Sequence, residues 1–144
     1  MTMKENWIGS ETGTEALIRR YYDAFNAGVT EGMIDCLTDD IRHDVNEGQP
    51  RMGKDAFRAF SAHMTRCYRE SLSEITVLVD ATGTRAAAEF TVSGTYLETD
   101  EGLPEARGQT YRLPAGTFFE VADGRIARVT TYYNLKDWIR QVSA

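Results

Sequence analysis

Near Ser73 the hydrophobic pattern of this chain changes period, and that change limits the fold more than any other feature. Before it, apolar residues recur at spacings of three and four; after it, "SEITVLVDATGTRAAAEFTVSGTYLET" (73–99) alternates residue by residue. The first spacing gathers side chains on one face of a helix, and the second gathers them on one face of a strand. Helices therefore come first and long antiparallel strands follow, without the strand–helix alternation of a parallel sheet. The class is α+β.

The individual elements follow from local signals. "TGTEALIRRYYDAFNAG" (12–28) offers Thr12 with Glu15 as a capping box, apolar Leu17, Ile18, Tyr21, Tyr22 and Phe25, and Gly28 as a helix stop. Thr30 can cap a short second helix over "EGMIDCLTDD" (31–40), with Met33, Ile34 and Leu37 along one side. A polar strand beginning at Ile41 runs into the turn "EGQPRMG". A third amphipathic helix, "KDAFRAFSAHMTRCYRES" (54–71), carries Phe57, Phe60, Met64, Cys67 and Tyr68.

The alternating segment forms a hairpin about "DATGT", with Ile75, Val77 and Val79 on one face of its first strand and Ala86, Ala88, Phe90 and Val92 on one face of the second. "DEGLPEARG" (100–108) reads as a surface loop. Two more strands surround "ADG", and Pro114 and Gly116 in the first of them suggest a bulge or bend. "LKDWIRQV" closes the chain as a helix packing Leu135, Trp138 and Ile139.

The 144 residues, 42% hydrophobic, suffice for one domain over 1–144 with a real core, preceded by a flexible segment of about 1–12. The net charge is −6, and the 16 Lys and Arg are scattered against 22 Asp and Glu, which argues against nucleic acid as a partner. No apolar run approaches a membrane span, so a soluble cytoplasmic protein is expected. Cys36 and Cys67 fall in helix-like segments without CxxC or His/Cys spacing, so both are expected to be buried thiols, with no disulfide and no metal.

"IRRYYDAFNAG", "DDIRHDVNEGQPRMGKDAF" and "FFEVADGRIARVTTYY" resemble the nuclear transport factor 2-like superfamily, within it the SnoaL-like and ketosteroid isomerase-related branch. The resemblance covers about residues 14–135 as element order. It implies a cone: a strongly curved, mixed or antiparallel sheet packed against three N-terminal helices, with a short C-terminal helix and an apolar pocket. In the steroid isomerases an Asp on the first strand moves the proton, while a Tyr and a protonated Asp hold the dienolate oxygen. Counting back from Pro50, Arg51 and Gly53 puts that base on Asp44, and counting forward from Asn26, Ala27 and Gly28 puts it on Val45; the nearer anchor favours Asp44. The tyrosine matches Tyr21. The protonated Asp has no counterpart, since the match falls on Thr117 or Gly116.

With Asp44 pointing inward, strand geometry would bring Asn46 in and turn His43 and Val45 outward. The resemblance then implies Asp44 and Tyr21 as catalytic residues, and Asn46, Phe60, Met64, Phe90, Thr117, Phe119 and Tyr132 along the pocket. The expected activity is a cofactor-free isomerase or cyclase that transfers a proton alpha to a carbonyl of a hydrophobic small molecule. A phenol is a second ligand class for the same pocket. The competing reading is a non-catalytic ligand-binding or dimerisation module. A homodimer is expected through the strands near Val92–Tyr96 and Val129–Tyr133.

Overall fold

The computed structural model describes residues 11–144; the flexible lead expected at the N-terminus falls largely outside them. Helix α1 (Glu11–Ala27) and the short α2 (Thr30–Ile34) precede strands β1 (Leu37–Val45) and β2 (Arg51–Met52). Helix α3 (Lys54–Cys67) leads into β3 (Tyr68–Val79), β4 (Arg85–Tyr96), β5 (Thr110–Ala122) and β6 (Arg125–Tyr133), and α4 (Leu135–Ser143) ends the chain. The strands form one six-stranded sheet in the order β2-β1-β6-β5-β4-β3. Among the described residues only β1 and β6 pair in parallel. The sheet is curled but not closed, and α1 and α3 pack on its concave side.

Helix α1 buries Leu17, Ile18, Tyr21 and Tyr22 as one stripe. Two side-chain links fix it to the sheet. Thr14 Oγ1 donates to the carbonyl of Gly83 at 2.5 Å, and Asn26 clamps the backbone of Leu72, donating from Nδ2 at 3.0 Å and accepting at Oδ1 at 2.8 Å. The β5–β6 hairpin turns on Asp123 and Gly124, both at positive φ (53° and 76°), the geometry of a two-residue turn matched to strand twist.

Several expectations need correction. Thr12 lies within α1 rather than capping it. The second helix stops at Ile34 and is preceded by Val29 without a side-chain cap; Leu37 begins β1. Tyr68 belongs to β3, which starts five residues before the alternation becomes obvious. Pro114 and Gly116 leave the β4 pairing unbroken, and the register shift in β5 lies at Glu120/Val121 instead. The proline is tolerated because β6 pairs with β5 only from Ala115 onward.

Two apolar clusters build the interior. The larger joins α1, α2 and α3 to the sheet through Leu17, Ile18, Tyr22, Phe57, Phe90 and Phe119. The smaller gathers Tyr96, Tyr111, Leu113, Trp138 and Val142 beneath α4. Rings in the smaller cluster meet edge-on around Trp138, with centroids 4.9 Å from Tyr96 and 5.8 Å from Tyr111.

Candidate functional site

Between these clusters lies a cavity of about 630 Å³, within the range of small-molecule sites. Its apolar walls include Phe57, Phe60, Met64, Phe90, Val92 and Trp138. Polar groups reach it from both clusters.

At the larger cluster, β1 supplies His43 and Val45. This reverses the expected phase of the strand. Ile41 is fully buried, and residues 41, 43 and 45 share its face, so burying Ile41 carries His43 inward. Asp44 lies on the opposite face, with Oδ2 3.3 Å from Arg42 Nη2, while its Oδ1 is buried without a hydrogen-bond partner. The physical reason is apolar burial: the fully buried Ile41 determines which way the pleat points.

His43 packs against Phe57 and Phe60 at ring-centroid distances of 5.0 and 4.7 Å. Burial, aided by the nearby Arg51 charge and opposed by Asp44, lowers its pKa to about 4, so the imidazole is neutral at pH 7. Its Nδ1 is buried and unpartnered, and the buried hydroxyl of Tyr22 has Thr117 beside it. Both residues line the cavity. An orphaned polar atom such as Nδ1 costs about 1–3 kcal/mol when nothing satisfies it.

At the smaller cluster two carboxylates meet two tyrosines. Tyr111 Oη donates to Glu70 Oε2 at 2.5 Å, and Tyr68 Oη donates to Asp100 Oδ2 at 2.6 Å. Glu70, Gly94 and Tyr111 lie in register across β3, β4 and β5. A Cβ at residue 94 would collide with the Cζ and hydroxyl of Tyr111, so glycine there lets the ring cross β4 and reach Glu70. Burial pushes the Glu70 carboxyl above its ordinary value, and the Tyr111 hydrogen bond partly opposes the shift.

Asp100 comes from the segment expected to be only a surface loop. Its backbone N–H donates to Tyr96 Oη at 2.9 Å, and Tyr96 in turn donates to the Pro104 carbonyl at 2.6 Å. The remaining carboxylate oxygen, Oδ1, lies 2.8 Å from His63 Nε2. His63 and Cys67 stand one turn apart on α3, with Sγ to Nε2 at 4.0 Å, a His/Cys proximity that the sequence reading did not register.

Of the other expected pocket residues, Tyr21, Phe60, Met64, Phe90 and Thr117 line the cavity. Thr117 shares a 3.0 Å hydrogen bond with Thr131. Phe119 is fully buried behind Tyr21 and Tyr22 rather than at the cavity wall. Asn46 sits at positive φ (50°) and accepts at Oδ1 from the Tyr133 N–H at 2.9 Å, which ends β1 against β6 instead of facing a ligand. Tyr132 is half exposed beside Phe118 on the other face of the sheet.

Sequence reasoning missed Glu70, Tyr111, His43 and Asp100. For Glu70 the usable signal was Tyr68-x-Glu70-x-Leu72, a period of two that a helical reading of "CYRES" concealed. For His43 it was Ile41 and Val45 at odd positions.

Comparison with known proteins agrees with the architecture. A family model for the SnoaL-like domain matches residues 18–129. A candidate polyketide cyclase from Silicibacter sp. is 58% identical, with TM-score 0.90, over 97% of this chain and 100% of its own. Another from Pseudomonas putida is 57% identical, with TM-score 0.87, over 90% and 97%. A third, from Xanthomonas campestris, is 49% identical, with TM-score 0.88, over 91% and 97%. Among curated proteins none matches. More distant solved structures, at 15–20% identity, share the nuclear transport factor 2-like fold. With the family model covering most of its length, the chain belongs to the SnoaL-like family.

Proposed function

We propose that the protein is an acid–base catalyst for a flat, largely apolar carbonyl compound, with Glu70 as the proton-transfer group. One observation carries this: a carboxyl of raised pKa lies in an apolar cavity and is held at 2.5 Å by Tyr111. A base for carbon acids works best when its pKa approaches the working pH, and desolvation moves Glu70 in that direction. Asp100 is a weaker candidate, since both of its oxygens already have partners, Tyr68 and His63.

The reaction needs two further things. The carbonyl oxygen must be held while charge develops on it, and the hydroxyl of Tyr22, which lines the cavity beside Thr117, is the donor for that purpose. Tyr21 lines the same wall, and the flat aromatic surroundings select the ligand by shape. Glu70 would take the proton alpha to the carbonyl and return it to another carbon, which is isomerisation. Alternatively the enolate carbon would attack a second carbonyl while Glu70 delivers the proton to the new alkoxide, which is ring closure. The description of close relatives as candidate polyketide cyclases supports a substrate with several carbonyls.

Solvent deuterium incorporation at the alpha carbon of a planar polycyclic ketone tests this. The wild type is expected to exchange, while Glu70→Gln binds the ketone, as followed by Trp138 fluorescence, without exchanging it. Binding without exchange in the wild type would instead make the protein a ligand-binding module. We also propose a homodimer. Phe118 and Tyr132, 45% and 50% exposed, form an apolar pair on the face away from the cavity, with ring centroids 6.0 Å apart. Tyr96, by contrast, is buried in the smaller cluster and Val92 lines the cavity, so that part of the earlier dimer expectation shifts to β5 and β6. A monomer in sedimentation at micromolar concentration contradicts this assembly.

A further inference from the structure

We infer that His63, Cys67 and Asp100 form a three-ligand site for a zinc-like divalent cation beside the cavity. The three donor atoms, Nε2, Sγ and Oδ1, all lie within 4.8 Å of one another. Imidazole, thiolate and carboxylate are each zinc ligands, and three protein ligands leave a fourth position for water or a ligand atom. A tetrahedral zinc site places nitrogen and sulfur ligands ~3.6 Å apart and nitrogen and oxygen ~3.4 Å apart. The present separations are 4.0 Å for Sγ to Nε2 and 2.8 Å for Oδ1 to Nε2. Forming the shell closes sulfur on nitrogen by ~0.4 Å and opens oxygen from nitrogen by ~0.6 Å, while Sγ and Oδ1, within 4.8 Å of each other, come to ~3.6 Å; side-chain rotations of up to about an ångström therefore convert the hydrogen-bonded cluster into a coordination shell.

The surroundings support this placement. His63 and Cys67 sit at i and i+4 on α3, which puts both donors over one face. The segment bearing Asp100 is fastened to that helix end, because Leu97 N–H donates to the Cys67 carbonyl at 2.7 Å. Tyr68 holds the second carboxylate oxygen of Asp100 at 2.6 Å, the kind of outer hydrogen bond that orients a metal-binding carboxylate. Cys67 itself is buried, whereas the His63 side chain is 39% exposed, which gives the ion a way in.

Arg66 is the group that must move. Its Nη2 lies 3.1 Å from His63 Nδ1, so in the metal-free protein Nδ1 accepts and Nε2–H donates to Asp100. On binding, the cation replaces the proton at Nε2, the imidazole carries that proton at Nδ1, and the thiol of Cys67 releases one proton to solvent. Arg66 is exposed and already has Glu98 Oε1 3.8 Å from its Nε, so it can turn to that carboxylate.

Cobalt titration of the full chain, followed by absorption, tests the site independently of the proposed reaction. The wild type and Cys36→Ser are expected to take up one Co²⁺ with thiolate-to-metal charge-transfer and intense tetrahedral visible bands, both lost on adding Zn²⁺. Cys67→Ser should lose the charge-transfer band. His63→Gln, at a partly exposed position that tolerates change, should weaken binding by at least ~10-fold, and it serves as the test if Cys67→Ser fails to fold. No thiolate band in the wild type overturns the inference. So does a band that disappears in Cys36→Ser and persists in Cys67→Ser, or one whose affinity His63→Gln leaves unchanged.

Discussion

The two clusters that wall the cavity treat polar groups in opposite ways. On the α1 and α3 side, His43 Nδ1 is buried without a partner, and the buried Tyr22 hydroxyl has Thr117 beside it. Beneath α4, Glu70 and Asp100 are each met by a tyrosine hydroxyl at 2.5–2.6 Å. The first arrangement leaves donors and acceptors for an incoming molecule, and its cost is met only when one arrives. The second keeps the Glu70 carboxyl in an apolar place by giving it a neutral donor, which only partly offsets the rise that burial causes. One side is suited to gripping a carbonyl and the other to moving a proton.

The largest effect should come from the carboxylate side. Glu70→Gln keeps an acceptor for Tyr111 but cannot take a proton, so alpha-carbon exchange should fall by roughly 10²–10⁴-fold. Ketone affinity should change little, and a fall in affinity matching the fall in rate would make Glu70 a binding group instead.

The histidine side should appear in acid stability. His43 has a folded pKa near 4 against an ordinary value of 6.5. Between those values the unfolded chain binds more protons than the folded one, so stability is fully present above about pH 6.5 and is lost as pH falls toward about 4. The loss is on the order of 3 kcal/mol as an upper figure. Urea unfolding at pH 7 and pH 4 should show this extra loss in the wild type and not in His43→Leu. Parallel losses in both proteins would place the acid sensitivity elsewhere.

A smaller effect should follow from Gly94→Ala, which forces a methyl group against the Tyr111 ring. Overpacking of this kind costs about 1–3 kcal/mol. It should also lower exchange, because Tyr111 is pushed away from Glu70. A variant with unchanged stability and rate would show that the ring has room to retreat.

The smallest effect is expected at Asp44, which faces away from the cavity. Asp44→Asn should leave alpha-carbon exchange within a factor of two of the wild type, a difference of about 0.4 kcal/mol in barrier. A large loss would restore the first-strand aspartate to the chemistry.

The fold was legible because it rests on patterns that burial imposes over long stretches. Alternation at Ala86, Ala88, Phe90 and Val92 and the stripe of Leu17, Ile18, Tyr21 and Tyr22 both reached the interior. The site was less legible because it depends on single-residue phase and on register. Shifting β1 by one position exchanges His43 for Asp44, and the distances to the proline turn and to Asn26-Ala27-Gly28 differ by that one residue. The apolar pair Ile41 and Val45 carried the answer. Glu70 was hidden because a polar residue inside a strand breaks the hydrophobic period that marks strands. The Glu70–Gly94–Tyr111 alignment joins three strands, and neither residue spacing nor composition reveals which residues of separate strands stand side by side. Asp100 was hidden in a loop whose composition looks solvated, although the Tyr96 hydroxyl pins it against the cavity.

The central claim is that Glu70 is a desolvated carboxyl held, but not neutralised, by Tyr111. Its carboxyl carbon can be titrated directly by carbon NMR in selectively labelled protein, for the wild type and for Tyr111→Phe. The wild-type midpoint should lie above the ordinary glutamate value of 4.5, and Tyr111→Phe should raise it further, because removing the donor takes away the interaction that favours the charged form. A midpoint at or below the ordinary value, or one that falls when Tyr111 is replaced, would contradict the account.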